Sequence, residues 1–417
     1  MKKHVLIAAT VAVMATSGST MAATSIEDKI DVLQEEIEHL KLQMKQANHS
    51  GGIQGIIERT TIGGYGELHY NNFSGDVPTG KTLKKDEIDF HRFVLFFGHR
   101  FNDWISFKSE FELEHALSGD GKKGEVELEQ AYLDFNINKT FNAKVGVFLI
   151  PMGILNETHE PPTFYGVERN EIESRIIPST WWEAGVGLYG EAVPGLNYQL
   201  NITSSLDAGK LKKDDFSKGF RDARRKVSEA PAEDYAVSGA LNYTGMPGLL
   251  VGAAFFTGNT GQDSASDTTS PTLAGVDARL TLWDVHARYQ KDRLDMRALY
   301  ARGHLSDANK VNAALSNGAG TGVGESFYGW FAEAAYQIWR HGDQTATPFV
   351  RYEKWDMNDD VPTGYVKNSD WSNEVWTVGA NYSPHPQVVL KADYQSYDKP
   401  DGDKGDKRLN LGMGYMF

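Results

Sequence analysis

The stretch Leu282-Trp283-Asp284-Val285-His286-Ala287-Arg288-Tyr289-Gln290 decides the fold. Successive side chains of an extended strand point to opposite faces, so Trp283, Val285, Ala287 and Tyr289 share one face and Asp284, His286, Arg288 and Gln290 the other. The same division recurs elsewhere. Leu133, Phe135 and Ile137 oppose Asp134 and Asn136, and Trp376, Val378, Ala380 and Tyr382 oppose Thr377 and Asn381. From Thr61 to Phe417 the chain repeats one unit, an alternating segment of roughly ten residues followed by a tight turn or, alternately, a longer polar loop. Counting these units predicts an all-β fold, a transmembrane antiparallel β-barrel of about sixteen strands over residues 61–417.

Working outward, the tight connections are expected at Phe101-Asn102-Asp103, Asn138-Lys139-Thr140, Pro194-Gly195, Met246-Pro247-Gly248, Asp292-Arg293, His341-Gly342-Asp343 and His385-Pro386. Long loops are expected near 74–86, 118–124, 151–182, 209–233, 261–274, 306–325, 359–372 and 399–406. A soluble sandwich could share the period of two, but it would need about half as many strands and no export signal. The chain ends Leu409-Asn410-Leu411-Gly412-Met413-Gly414-Tyr415-Met416-Phe417, a strand that would close the ring against the first one. With Tyr415 and Phe417 in the matching places, this ending resembles the C-terminal signal read by the outer-membrane assembly machinery.

Composition agrees. The mean hydropathy of −0.44 leaves no run of about 20 apolar residues for a membrane helix. A barrel keeps a polar average because lumen-facing residues dilute lipid-facing ones. The absence of cysteine removes disulfides, thiol nucleophiles and thiolate metal sites together. A net charge of −14 disfavours a nucleic-acid partner, and acidic loops suit divalent-cation bridging to lipopolysaccharide in an outer-membrane lipid setting.

Residues 1–22 carry Lys2 and Lys3, an apolar run from Val5 to Val13, and small residues ending at Ala22, the pattern of a cleaved signal peptide. Over residues 24–47, Ile26, Ile30, Leu33, Ile37, Leu40 and Met44 alternate spacings of four and three. That spacing predicts a short coiled-coil helix, placed in the periplasm, with residues 48–60 as a linker.

The order of signal peptide, short coiled coil, sixteen strands and long third loop resembles the phosphate-selective porin O and P family, and also the coiled-coil-bearing dicarboxylate channels. Local support comes from Gly63-Gly64-Tyr65-Gly66, Phe90-His91-Arg92-Phe93 and the stretch from Gly146-Val147-Phe148 to Pro151-Met152-Gly153. The resemblance implies a trimer whose third loop, 151–182, folds into the lumen. Glu157, His159, Glu160, Arg169 and Arg175 in that loop would make a constriction of mixed charge.

Strand parity sends Arg92, Lys108, Arg288, Arg297, Arg351, Lys391 and Arg408 inward, together with Glu110, Glu112, Glu333 and further carboxylates that outnumber the basic groups. An amphoteric wall favours weakly selective diffusion of small hydrophilic solutes, whereas an anion-specific channel for phosphate or dicarboxylates needs an uninterrupted basic track. A dense basic cluster, Lys210, Lys212, Lys213, Lys218, Arg221, Arg224, Arg225 and Lys226, lies in the fourth loop, where Phe220, Ala223 and Val227 suggest a short amphipathic helix. No Gly-x-Ser-x-Gly or His-Glu-x-x-His motif is present, and His69, His91, His99, His115 and His286 stand singly on strands. Neither catalysis, a metal nor a cofactor is expected. A plugged barrel serving only as an envelope anchor is a further alternative.

Overall fold

A computed structural model describes residues 37–38, 53–75, 85–119, 121–263, 273–399 and 404–417. The chain divides into Met1–Arg59 and Thr60–Phe417. In the first unit, Ile37 and Glu38 are helical, and the rest of the expected signal peptide and coiled coil lies outside the described residues. Residues 53–59, expected to be linker, instead form helix α1 (Ile53–Arg59). Ile53, Ile56 and Ile57 recur at helical spacing immediately after Gly51-Gly52, which accounts for it.

The second unit is a closed antiparallel meander. Its strands are β1 (Thr60–Gly75), β2 (Glu87–Arg100), β3 (Ile105–Glu114), β4 (Val126–Phe135), β5 (Asn142–Leu149) and β6 (Trp182–Val193). Then follow β7 (Leu196–Ser204), β8 (Tyr235–Tyr243), β9 (Leu249–Gly258), β10 (Leu280–Lys291), β11 (Leu294–Leu305) and β12 (Ser326–Tyr336). The ring is completed by β13 (Trp339–His341), β14 (Gln344–Asp360), β15 (Ser372–His385), β16 (Val388–Asp398) and β17 (Lys404–Met416). The short β13 pairs only with β14 and prolongs β12, so the seventeen segments make sixteen wall strands.

Closure runs along β1 and β17, from Tyr65 opposite Met416 to Gly75 opposite Asp406. The terminal residue joins it: Phe417 N–H donates to Gly64 O at 2.9 Å, and Gly64 N–H returns to Phe417 O at 3.0 Å. Gly64 is required there, since a Cβ would stand 2.2 Å from Val94 O.

The outward face is apolar. Trp283, Val285, Leu200, Ile202, Trp376 and Val378 are each at least 40% exposed, while their neighbours Asp284, Asn201 and Thr377 are buried. Such a surface is untenable in water and suits lipid. Among the described residues no helix is long and apolar enough to cross a membrane.

Inside, the outer halves of β8 to β16 present Phe256, Leu282, Leu299, Phe327, Trp355 and Val375 to a buried apolar cluster. Ile172, Ile176 and Trp181 of the third loop complete it, with Phe216 and Phe220 of the fourth and helix α2 (Ala308–Leu315). The expected amphipathic helix of the fourth loop is a 3-10 turn, Gly219–Ala223. It ends because Arg224 is extended, with φ −71° and ψ 132°, and Lys226 and Val227 beyond it adopt φ of 53° and 58°.

Candidate functional site

The third loop leaves β5, crosses the barrel interior and returns to β6. Asn156 ties its ends together, donating to the carbonyls of Ile150 and Trp181 and accepting from Trp181 N–H at 2.8 Å. Glu173 accepts from the N–H groups of Ile154 and Leu155 and from Asn170, and burial pushes its carboxyl pKa up.

Wall groups hold the loop along its course. Gly153 N–H donates to Asp284 on β10, Tyr165 OH donates to Asp295 on β11, and Glu171 N–H donates to Glu353 on β14. Lys391 on β16 donates to the carbonyls of Phe164 and Gly166 at 2.8 and 2.9 Å. A Cβ on Gly414 would sit 2.2 Å from Pro161, so glycine lets the loop lie against β17.

Most basic groups read from strand parity are engaged in this scaffold. Arg92 Nε stands 2.7 Å from Glu67 and 3.5 Å from Glu112. Lys108 pairs with Asp134 at 2.7 Å, the first partner of a half-exposed side chain. Arg288 grips Asp295 through two nitrogens, Arg297 shares that carboxylate and donates to Thr163 O, and Arg351 bridges Glu333 at 3.2 Å and Glu353 at 2.6 Å. Arg408 stacks over Tyr397 at 4.2 Å. Among the described residues, Arg92, Lys108, Arg288, Arg297 and Arg351 are thus paired with wall carboxylates, whereas Lys391 and Arg408 are held by carbonyls and aromatic rings.

The third-loop residues divide. His159 is buried, with Nδ1 2.9 Å from Asn156 O and Nε2 3.2 Å from Glu110, which accepts from Gln130 as well. A carbonyl and a carboxylate both accept, so both ring nitrogens donate. Burial opposes that charge, but Glu110 and Glu129 outweigh it and push the His159 pKa up to about 10. Arg169 donates to Thr180 Oγ1 and His159 O, whereas Arg175 pairs with Glu171 at 2.6 Å and lies over Trp355. Glu157 is exposed and accepts from Gln199, and Glu160 caps the turn Pro161–Thr163 through its carbonyl.

Between the third and fourth loops and the β3–β4 wall lies a polar cavity of about 300 Å³. The wall and the segment before β4 contribute Glu114, Glu125, Glu127 and Glu129, and the fourth loop Arg221, Asp222, Arg224 and Lys226, with Thr180 and Trp182 beside them. Lys226 pairs with Glu125 and Glu127. Arg224 is bound by the carbonyls of Ser179, Thr180 and Arg221 and lies over the Trp182 ring at 5.6 Å, and neither it nor Arg221 makes an ion pair among the described residues. Burial, then Arg224, Arg92 and Arg169, lowers the Arg221 pKa to about 10. Among the described residues, both carboxylate oxygens of Glu129 and the indole N–H of Trp182 lack hydrogen-bond partners, and Glu129 has His159 Nε2 at 3.7 Å.

Glu127 and Glu129 escape a strict parity count because β4 bulges. Gln130 faces Glu110 and Leu128 faces Phe111, so Glu129 is an extra residue and the alternation changes phase. The signal was in the sequence, since the apolar residues fall on even numbers at Val126 and Leu128 but on odd numbers at Leu133 and Phe135.

No protein-family model matches the chain. An uncharacterized protein of Aquifex aeolicus (strain VF5) is 34% identical over 356 residues, covering 83% of this chain and 77% of that one. The chain belongs to the family of that Aquifex protein.

Among solved structures, the outer membrane channel DcaP of Acinetobacter baumannii superposes with a TM-score of 0.52 at 15% identity, covering 86% of this chain and 97% of its own. An anion-selective porin from Comamonas acidovorans gives 0.53 at 10% identity, with 86% and 99% coverage. Pseudomonas putida OprB gives 0.53 at 11% identity, with 89% and 97% coverage. The chain therefore shares the porin-type barrel fold of these structures.

Proposed function

We propose that this chain is an outer-membrane porin through which small hydrophilic solutes diffuse passively with weak selectivity. The observation that carries this reading is the polar cavity in which Glu114, Glu127 and Glu129 face Arg221, Arg224 and Lys226. Opposed charges across a narrow aqueous space set up a transverse field that favours dipolar, hydrated solutes of either sign. The porin-type fold supports it, as does the absence of any nucleophile motif in the sequence. The chain works as a trimer in contact with lipopolysaccharide, exported by its N-terminal signal and carrying a periplasmic coiled coil. The pore-lining role of the residues picked by parity belongs to this same reading.

A specific observation favours a second reading. Among the described residues, Arg169 and Arg224 are bound by carbonyls and a hydroxyl and Arg221 makes no ion pair, so an anion such as phosphate or a dicarboxylate would meet guanidinium groups without displacing a carboxylate.

The test is a planar-bilayer recording of single-channel conductance and reversal potential in a potassium chloride gradient, repeated with added phosphate. An ohmic, weakly selective channel supports the general porin. Strong chloride selectivity with block by phosphate supports the anion channel, and absence of conductance overturns both.

A further inference from the structure

We propose that Asp89, His91 and His115 form a binding site for a divalent cation of the imidazole-preferring class, such as Zn²⁺, Ni²⁺ or Cu²⁺. His91 Nδ1 and His115 Nδ1 lie 3.0 and 2.7 Å from one oxygen of Asp89, and the three ligand atoms fall within 4.8 Å of one another. Tetrahedral ligands at about 2.1 Å from zinc stand about 3.4 Å apart, so the two nitrogen-to-carboxylate distances would lengthen by about 0.4 and 0.7 Å, which side-chain rotation supplies.

The backbone brings these residues together although they are scattered in sequence. In the β1–β2 pair, Glu67 faces Arg92 and Leu68 faces Phe90, which leaves His91 as the extra residue of a bulge. His91 stacks on His69 with ring centroids 4.7 Å apart. His115 follows the end of β3 with φ of 53°, and its N–H donates to His91 O at 3.1 Å. The His91 and His115 rings meet nearly at right angles, 82°, so their nitrogens converge from different directions on one point.

The surroundings carry both signs of charge, with the cationic groups already engaged by carboxylates. His69 is held between Glu67 at 3.3 Å and Glu168 at 3.2 Å, and Arg92, the basic group beside them, is already engaged by Glu67 at 2.7 Å. The side chains of Asp89, His91 and His115 are 22, 26 and 39% exposed, so water and ions reach them. Two imidazoles and one carboxylate are the donor set of zinc, nickel or copper, and magnesium or calcium would demand more oxygens. Three protein ligands leave a coordination position to water, which makes the site exchangeable. On binding, each imidazole carries its proton on Nε2 and the cation replaces the two hydrogen bonds that Asp89 accepts.

The test uses the full-length barrel, stripped of metal in detergent, and its readouts do not depend on conduction. Calorimetric titration with ZnCl₂ is expected to give one equivalent bound per chain, weakened at least about tenfold in His91→Gln, His115→Gln and Asp89→Asn. The electron paramagnetic resonance spectrum of added Cu²⁺ is expected to show coupling to two nitrogens, falling to one in either histidine variant and unchanged in the control His304→Gln, a β11 histidine beside Ser326 Oγ at 3.3 Å. Asp89→Asn keeps the size of the side chain, so it decides the matter if a histidine variant fails to fold by circular dichroism. Absence of Zn²⁺ binding by the wild type, or full binding by folded Asp89→Asn, overturns the proposal.

Discussion

The Lys391 ammonium lies 3.6 Å from the ring centroid of Phe164 while donating to the carbonyl of that same residue at 2.8 Å. A wall strand thereby grips the third loop by its backbone and its side chain together, on the side of the barrel far from the loop's origin. A hydrogen bond from a charged donor contributes about 1.5–3 kcal/mol. Lys391→Met is expected to release this segment, raising open-channel noise and conductance in bilayer recordings while the barrel remains folded. Unchanged noise would show that Asp284, Asp295 and Glu353 hold the loop without it.

Charge in the polar cavity should set ion preference. A unit charge about 6 Å from a permeating ion in water contributes about 0.7 kcal/mol, roughly threefold in relative permeability. Arg224→Gln is expected to shift the reversal potential toward cations by about that factor, and Glu127→Gln toward anions. Screening makes both effects larger at low salt. Arg351→Gln, which breaks a paired belt at the wall, is expected to lower thermal stability by several kcal/mol with a smaller change in selectivity.

How much of this was legible follows from the period of two. Wherever the alternation runs unbroken, as from Leu282 to Gln290, it separates the buried face of Asp284 and His286 from the exposed face of Trp283 and Val285. It fails at the bulges, where His91 and Glu129 are inserted and the phase changes, and those two residues belong to the most chemically loaded parts of the interior. Parity also cannot tell an engaged charge from a free one. Arg297 and Arg351 are spent on Asp295, Glu333 and Glu353, while the uncommitted Arg221 arrives from a loop whose path is fixed by packing Phe216 and Phe220 against Phe327. Such contacts between distant segments leave no local pattern in the chain.

His159 supplies a pH dependence with a definite sign. Its pKa rises from 6.5 to about 10 on folding, against burial, because Glu110 and Glu129 favour the imidazolium. The contribution is fully present below the unfolded value and is lost as pH climbs through about 10. Thermal unfolding in detergent is expected to show a stability loss between about pH 6.5 and 10 that His159→Gln largely lacks. Comparing the two proteins removes the background titration of lysines and tyrosines. Equal slopes would mean that the loop does not depend on this ion pair.

The last residue should matter more than its single side chain suggests. Phe417 exchanges two backbone hydrogen bonds with Gly64, and its ring stacks on Tyr415 with centroids 6.4 Å apart. Removing it leaves Gly64 with an unmet N–H and an unmet carbonyl beside lipid, each costing about 1–3 kcal/mol when buried. Deletion of Phe417 is therefore expected to slow barrel closure in refolding assays followed by gel mobility. Gly64→Val should do the same by another route, since its Cβ would collide with Val94 O at 2.2 Å. A Phe417→Tyr chain, which keeps both backbone bonds and the stacked ring, is expected to refold at the wild-type rate. Slow refolding of that variant would assign the effect to recognition of the terminal side chain rather than to the seam.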